Sequence, residues 1–197
     1  MENPESSIFK QQITQFFEHA PTYDQSRLID ELERFMQLKE SHPLFLLKGY
    51  AGTGKTTVLG AFVKTLTHFK VKSRLLAPTG RAAKVLSARS SKEAFTIHKQ
   101  IYRRNSKVDE FSGMMLAPNL HTNTVFIVDE ASMIGDHSLL TDGSVSNRNL
   151  LDDLFEYVFS GKNCRLILLG DEGQLPPVGC DYSPALEIGR ASCRERV

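Results

Sequence analysis

The stretch GYAGTGKT brings Gly49, Gly52, Thr53, Gly54, Lys55, Thr56 and Thr57 together, with Gly49, Gly54, Lys55 and Thr56 satisfying the spacing G-x-x-x-x-G-K-[ST]. Glycines at these points let the backbone turn tightly, so that successive N–H groups face phosphate oxygens. A helix beginning at the same place adds its dipole. Lys55 would then hold the β- and γ-phosphates of ATP and the Thr56 hydroxyl would ligate Mg²⁺. A chance glycine-rich turn has the same letters, so the reading depends on what flanks them.

Two more stretches carry side chains suited to the same chemistry. IVDEAS ends an apolar run with Asp129 and Glu130. Asp129 would hold Mg²⁺ through its water shell and Glu130 could accept a proton from an attacking water; a pair of acids after a strand is also ordinary turn chemistry. GDEGQLPPVG follows another apolar run and puts Gln174 four residues after Gly170. Its amide could reach the γ-phosphate or the attacking water and respond when that phosphate leaves, or it could simply bond loop backbone. The proposed catalytic set is therefore Lys55, Glu130 and Gln174, with Thr56 and Asp129 on the metal.

These side chains need a scaffold that gathers loops far apart in sequence. LFLLKG (44–49), SRLLAP (73–78), TVFIVDE (124–130) and CRLILLGD (164–171) read as near-continuous apolar strands. Helical spacing places helices at 5–19, at 22–39, after the glycine-rich loop (Val58, Leu59, Phe62, Val63, Leu66), from about Arg81, and at 148–160. Strands of this kind alternating with helices predict an α/β fold, a mostly parallel sheet covered on both faces. The stretches 100–123 and 141–147 lack clear periodicity and read as surface insertions.

Bulk properties bound the rest. A chain of 197 residues, 41% hydrophobic and 24% charged, has material for one domain, two at most. No run approaches the ~18 apolar residues of a membrane span, and MENPESSIFK lacks the layout of a secretory signal. Cys164, Cys180 and Cys193 have no metal-ligand spacing, which suits a reducing compartment and a cytoplasmic address. Net charge is +1, so any nucleic-acid binding must come from a local surface.

The C-terminal eleven residues, EIGRASCRERV, break from the preceding pattern. One allowed back-translation of them resembles a common sequencing-library adapter, and a basic C-terminal helix is the other reading. On the adapter reading residues 187–197 are expected to be a non-native tail that carries no information about the fold.

The glycine-rich loop is shared by kinases, GTPases and motor ATPases and cannot choose among them. APTGRAAKVL (77–86), FTIH (95–98), VDEASM (128–133) and GDEGQLPPVG (170–179) resemble, in order and approximate spacing, motifs Ia, Ib, II and III of superfamily 1 DNA helicases, within them the RecD-like branch. The resemblance covers roughly residues 20–186. It implies a RecA-like P-loop domain at 43–186, preceded by N-terminal helices at 1–42. It places Thr79, Gly80, Arg81, Thr96 and His98 on a single-stranded DNA track and has Gln174 couple nucleotide to that track. Gln25, in TYDQSRL, resembles the glutamine that reads adenine. Arg81 reads equally well as a solvated first-turn residue, His98 as a core or surface histidine and Gln25 as a plain helix-surface residue.

Residues 99–123 fall where such helicases insert a small strand-separating element; Lys99, Arg103, Arg104 and Lys107 beside Tyr102 and Phe111 would suit backbone attraction and base stacking. The resemblance also implies ATP and Mg²⁺ as cofactors, single-stranded DNA and DNA junctions as partners, and no membrane. The resemblance further implies a second RecA-like domain that would donate arginine fingers, expected to lie outside this chain. The expectation is a parent that hydrolyses ATP and unwinds DNA, and a 197-residue piece that binds nucleotide weakly and unwinds nothing. The alternatives are an ATP-binding subunit of a RecD-type nuclease complex and a small P-loop kinase.

Overall fold

The computed structural model describes residues 4–17, 19–104, 114–135, 138–139, 145–146, 149–171, 173–174, 176–177, 180 and 182–191. Helices α1 (Pro4–Gln15) and α2 (Tyr23–Gln37) precede β1 (Leu44–Lys48) and α3 (Lys55–His68). Then come β2 (Lys72–Ala77), α4 (Gly80–Ser90), β3 (Ala94–Thr96), α5 (Ile97–Ile101) and the antiparallel pair β4 (Tyr102–Arg104) and β5 (Met114–Leu116). β6 (Thr124–Val128) leads into a 3-10 turn, η1 (Ala131–Met133), and a second small pair, β7 (Ser138–Leu139) and β8 (Val145–Ser146). α6 (Leu150–Ser160), β9 (Arg165–Gly170) and α7 (Pro184–Ala191) complete the described chain.

Five strands form one sheet in the order β1-β9-β6-β2-β3, every neighbouring pair parallel. Alternation along each strand feeds two cores. Leu75, Val125, Ile127, Ile167 and Leu169 face α1, α2 and α3, packing with Ile13, Ile29, Phe35 and Phe62. Leu76, Phe126, Val128, Leu166 and Leu168 face the other way onto Ile97, Leu154, Val158 and Ala185. Burial on both faces is why these strands carry so few polar residues.

The four expected strands form within one or two residues, and the sheet is the expected parallel one. The fifth, β3, went unread because three residues leave no periodicity to detect. α1 ends at Gln15, short of 19: Phe16 and Phe17 close i−3 turns on Ile13 and Thr14. Pro21 then disfavours helix at Ala20. β6 stops at Val128, short of 130, because Glu130 turns into the left-handed region at φ 56°. The 100–123 stretch contains the antiparallel pair β4 and β5, and 141–147 contains β8, which pairs with β7 just before that stretch. Lys107 and Phe111 lie outside the described residues, as do most of 141–147 and residues 192–197 of the C-terminal stretch. α7 runs through position 187, so a helix continues across the expected start of that stretch. No helix among the described residues is long and apolar enough to cross a membrane.

Candidate nucleotide and DNA site

Parallel strands put their C-terminal ends on one edge, and each candidate loop leaves from that edge. Between β1 and α3, Gly52 and Gly54 take φ of +80° and +84°, a region that costs a side-chain-bearing residue about 1–2 kcal/mol. Gly54 caps α3 directly, so the loop's N–H groups and the helix start share one concavity. The Lys55 ammonium folds over the loop, donating to the Gly49 carbonyl and, at 2.7 Å, to that of Tyr50. The Thr53 hydroxyl donates to the same Tyr50 carbonyl at 2.8 Å. Thr56 and Thr57 follow Lys55 in the first turn of α3.

Gln25 arrives from a different element. It is the third residue of α2, and its Nε2 lies so close to Gly54 that a β-carbon there would collide with it. Its Oε1 accepts from the Thr22 backbone N–H at 3.0 Å, while the Thr22 hydroxyl accepts from the Gln25 N–H at 3.3 Å. This reciprocal cap fixes the side chain where it meets the loop. Thr22 was not singled out from sequence, although the T-x-x-Q spacing at 22–25 is itself the signal of such a cap.

Further along this edge, the Asp129 N–H extends the ladder to the Leu76 carbonyl at 3.0 Å. Burial pushes the Asp129 carboxyl above its ordinary range, opposed by the hydrogen bond from the Glu130 N–H and reinforced by the negative charge of Glu130, with Arg89 and Lys55 pulling it back down. Lys55 is thus within electrostatic reach of Asp129. The left-handed turn at Glu130 carries its carboxylate to Gln174, whose Nε2 donates to Glu130 Oε2 at 3.0 Å. The buried Ser132 hydroxyl donates to Gln174 Oε1, also at 3.0 Å. Asp171, buried at the end of β9, accepts the Gly173 N–H at 2.9 Å and shapes the loop bearing Gln174. A β-carbon at Gly173 would meet the Tyr50 ring, so the first and last loops of the site lie close together. Ser132 and Asp171 were missed in the sequence; only the turn chemistry of Asp after a strand hinted at the latter.

The structure therefore brings together Lys55, Asp129, Glu130 and Gln174, with Gln25 against the loop and Thr56 beside Lys55. A hydroxyl and a carboxylate are the hard oxygen donors that suit Mg²⁺. Among the described residues, no cluster of three or more His, Cys, Asp and Glu side chains gathers to hold a metal unaided.

The second set of candidates occupies the same edge further along. Thr79 caps α4, its hydroxyl accepting from the Ala82 N–H at 3.2 Å, and Thr96 caps α5 through the Lys99 N–H at 3.2 Å. Gly80 and Thr96 line one open groove of about 540 Å³ together with Lys84, Phe95 and Lys99. The Arg74 guanidinium and the Lys99 ammonium both lie over the Phe95 ring, at 5.7 and 5.2 Å from its centre. Arg81 is exposed in the first turn of α4. His98 is half-buried, tilts against Tyr102, and burial lowers its imidazole pKa, favouring a neutral ring. Tyr102 in turn donates to Asp153 of α6 at 2.6 Å, and Asn119 donates to the Tyr157 and Val158 carbonyls. These bonds tie both ends of the 99–123 insertion to the body.

A family model described as the AAA domain matches residues 24–182. The chain is 30% identical over 175 residues to the ATP-dependent RecD2 DNA helicase of Deinococcus radiodurans, a match covering 86% of this chain and 20% of that protein. It is 31% identical over 148 residues to the ATP-dependent DNA helicase dda of Enterobacteria phage T4, covering 72% of this chain and 30% of that protein. The crystal structure of Pif1 helicase from Candida albicans is similar with a TM-score of 0.52 at 18% identity, over 86% of this chain and 38% of that one. At that identity the likeness concerns the fold alone, a RecA-like α/β domain. The chain spans well under half of each of these relatives.

Proposed function

The chain belongs to the AAA domain family, its resemblance to RecD-like superfamily 1 motor domains is borne out by its relatives, and on that premise we propose that it forms the nucleotide-binding half of an ATP-dependent DNA helicase motor. The observation that carries this reading is the bond from Gln174 to Glu130 beside the Lys55 loop. A side chain from the last strand's loop is in direct contact with the acid that would activate water. That is the connection a motor needs between bond cleavage and a second surface.

The roles follow from position. The N–H groups from Gly52 to Thr57 and the Lys55 ammonium would hold the triphosphate, and Gln25 would meet the adenine. Thr56 and Asp129 would hold Mg²⁺, which supplies charge neutralisation at the phosphates. A carboxylate kept poorly solvated, as Asp129 is, gains from such a cation. Glu130 would take the proton of the attacking water. The α4 and α5 caps at Thr79–Arg81 and Thr96–His98, with the cations around Phe95, would take a DNA strand by its phosphates. The anchored insertion at 99–123 would separate strands, and a second RecA-like domain would supply the arginine fingers and the far half of the track. An arginine of that kind changes turnover by about 10³–10⁵ in related phosphoryl transfer.

Binding of a fluorescent ADP analogue and of a labelled single-stranded oligonucleotide, each followed by anisotropy with Mg²⁺ present, tests the proposal on this chain. Saturable binding of both, with nucleotide lost in Lys55→Met and DNA affinity falling with salt, is expected. Absence of nucleotide binding, or phosphoryl transfer to a small-molecule acceptor, would replace the motor reading with another.

A further inference from the structure

Gln174 can present either end of its amide to the site, and the two ends are opposites: Nε2 donates hydrogen bonds and Oε1 only accepts them. Glu130 offers an ionised carboxylate, an acceptor. A γ-phosphate is an acceptor as well. Only Nε2 can serve either of them, so an amide turned the other way would set oxygen against oxygen. Glu130 thus selects the orientation, and what anchors the amide in it lies on the far side, where a hydroxyl able to serve either end meets the oxygen. The Ser132 hydroxyl, in a residue 1% exposed, donates to Gln174 Oε1 at 3.0 Å. Ser132 sits in the η1 turn directly after Glu130, so the group that anchors the glutamine and the acid it meets belong to one rigid segment.

We propose that Ser132 is a positioning residue that anchors the carbonyl end of Gln174 and so holds its N–H₂ end in place against Glu130 and, when a triphosphate is bound, against the γ-phosphate. Ser132 touches no reacting atom; it acts through Gln174. The idea rests on the nucleotide reading for its second half only. The first half concerns a hydrogen bond of the chain itself.

Two measurements test it. In the first, with no nucleotide added, the side-chain amide signals of Gln174 are followed by NMR in ¹⁵N-labelled chain and identified by their loss in Gln174→Leu. Ser132→Ala should move them towards the positions of solvated amides, and unchanged signals would overturn the proposal. In the second, calorimetry compares Mg·ADP with the Mg complex of a β,γ-methylene ATP analogue. Ser132→Ala should weaken the triphosphate analogue about three- to tenfold, the loss of one oriented hydrogen bond, and leave ADP within about twofold. In a Gln174→Leu background the same substitution should do nothing further. Equal weakening of both nucleotides, or a full effect in the Gln174→Leu background, would mean that Ser132 merely supports the fold and would refute the positioning role. If the wild-type chain binds neither nucleotide, the nucleotide reading fails and takes the second half with it, while the nucleotide-free spectrum still decides the first.

Discussion

Gly54→Ala is the substitution whose cost can be worked most fully from the geometry. Two penalties add. The first is conformational: φ at this position is +84°, and a β-carbon there costs about 1–2 kcal/mol. The second is a collision. The new methyl would meet Gln25 Nε2, and the glutamine cannot simply swing away because its Oε1 is bonded to the Thr22 N–H at 3.0 Å. Moving it forfeits one arm of the α2 cap, about 1 kcal/mol more. Gly52 is the internal control, since it has a similar φ of +80° but nothing within 4 Å of an added β-carbon. Urea unfolding should therefore place Gly54→Ala below Gly52→Ala by about 1 kcal/mol at unchanged slope. In a Gln25→Ala background the difference should vanish. A gap that persisted there would show that Gln25 is not what the methyl strikes, and the contact between α2 and the phosphate loop would have to be abandoned.

Other expectations follow the same logic. Because burial holds the Asp129 pKa above its unfolded value, the folded chain binds that proton more tightly; stability from this group is full below the ordinary carboxylate range, near 3.9, and is lost as pH rises through the folded-state value. Asp129→Asn should accordingly stabilise the chain at neutral pH, an advantage that disappears in acid denaturation curves collected below about pH 4. Lys55→Met should weaken nucleotide binding roughly 10- to 100-fold, read by anisotropy, with little change in thermal midpoint, because among the described residues the lysine's hydrogen bonds go to its own loop carbonyls. Thr79→Ala should cost about 1 kcal/mol through loss of the α4 cap, whereas Thr79→Ser should keep that stability, and oligonucleotide anisotropy on the two variants separates a DNA role from a capping one.

Much of the scaffold was legible in the sequence because long apolar strands and amphipathic helices leave periodic traces. Leu166 to Leu169 could hardly be anything but a buried strand, and Val58 to Leu66 marked one face of α3. What escaped was short or tertiary. β3 and α5 are too brief for a period to register, and FTIH disclosed its residues without disclosing that Thr96 caps a helix. Among site residues, those held by local backbone geometry were readable, the glycines above all. Those held by partners far away were not: Ser132 gains its role from Gln174, 42 positions on, and no spacing within VDEASM announces it. Gln25 was singled out for a base contact, but that its amide is wedged against Gly54 follows only from how α2 lies over the loop.

The sheet order has a consequence for how the chain comes into being. Among the described strands β1 pairs with β9 alone, and β9 comes after the other four in the chain. Until residues 165–170 have left the ribosome, the segment 44–48 that launches the phosphate loop lacks its partner among the described strands, and its apolar surface must wait in a half-made protein. The pocket for the triphosphate thus cannot form early, and nascent chains stopped before Arg165 are the ones expected to need a chaperone.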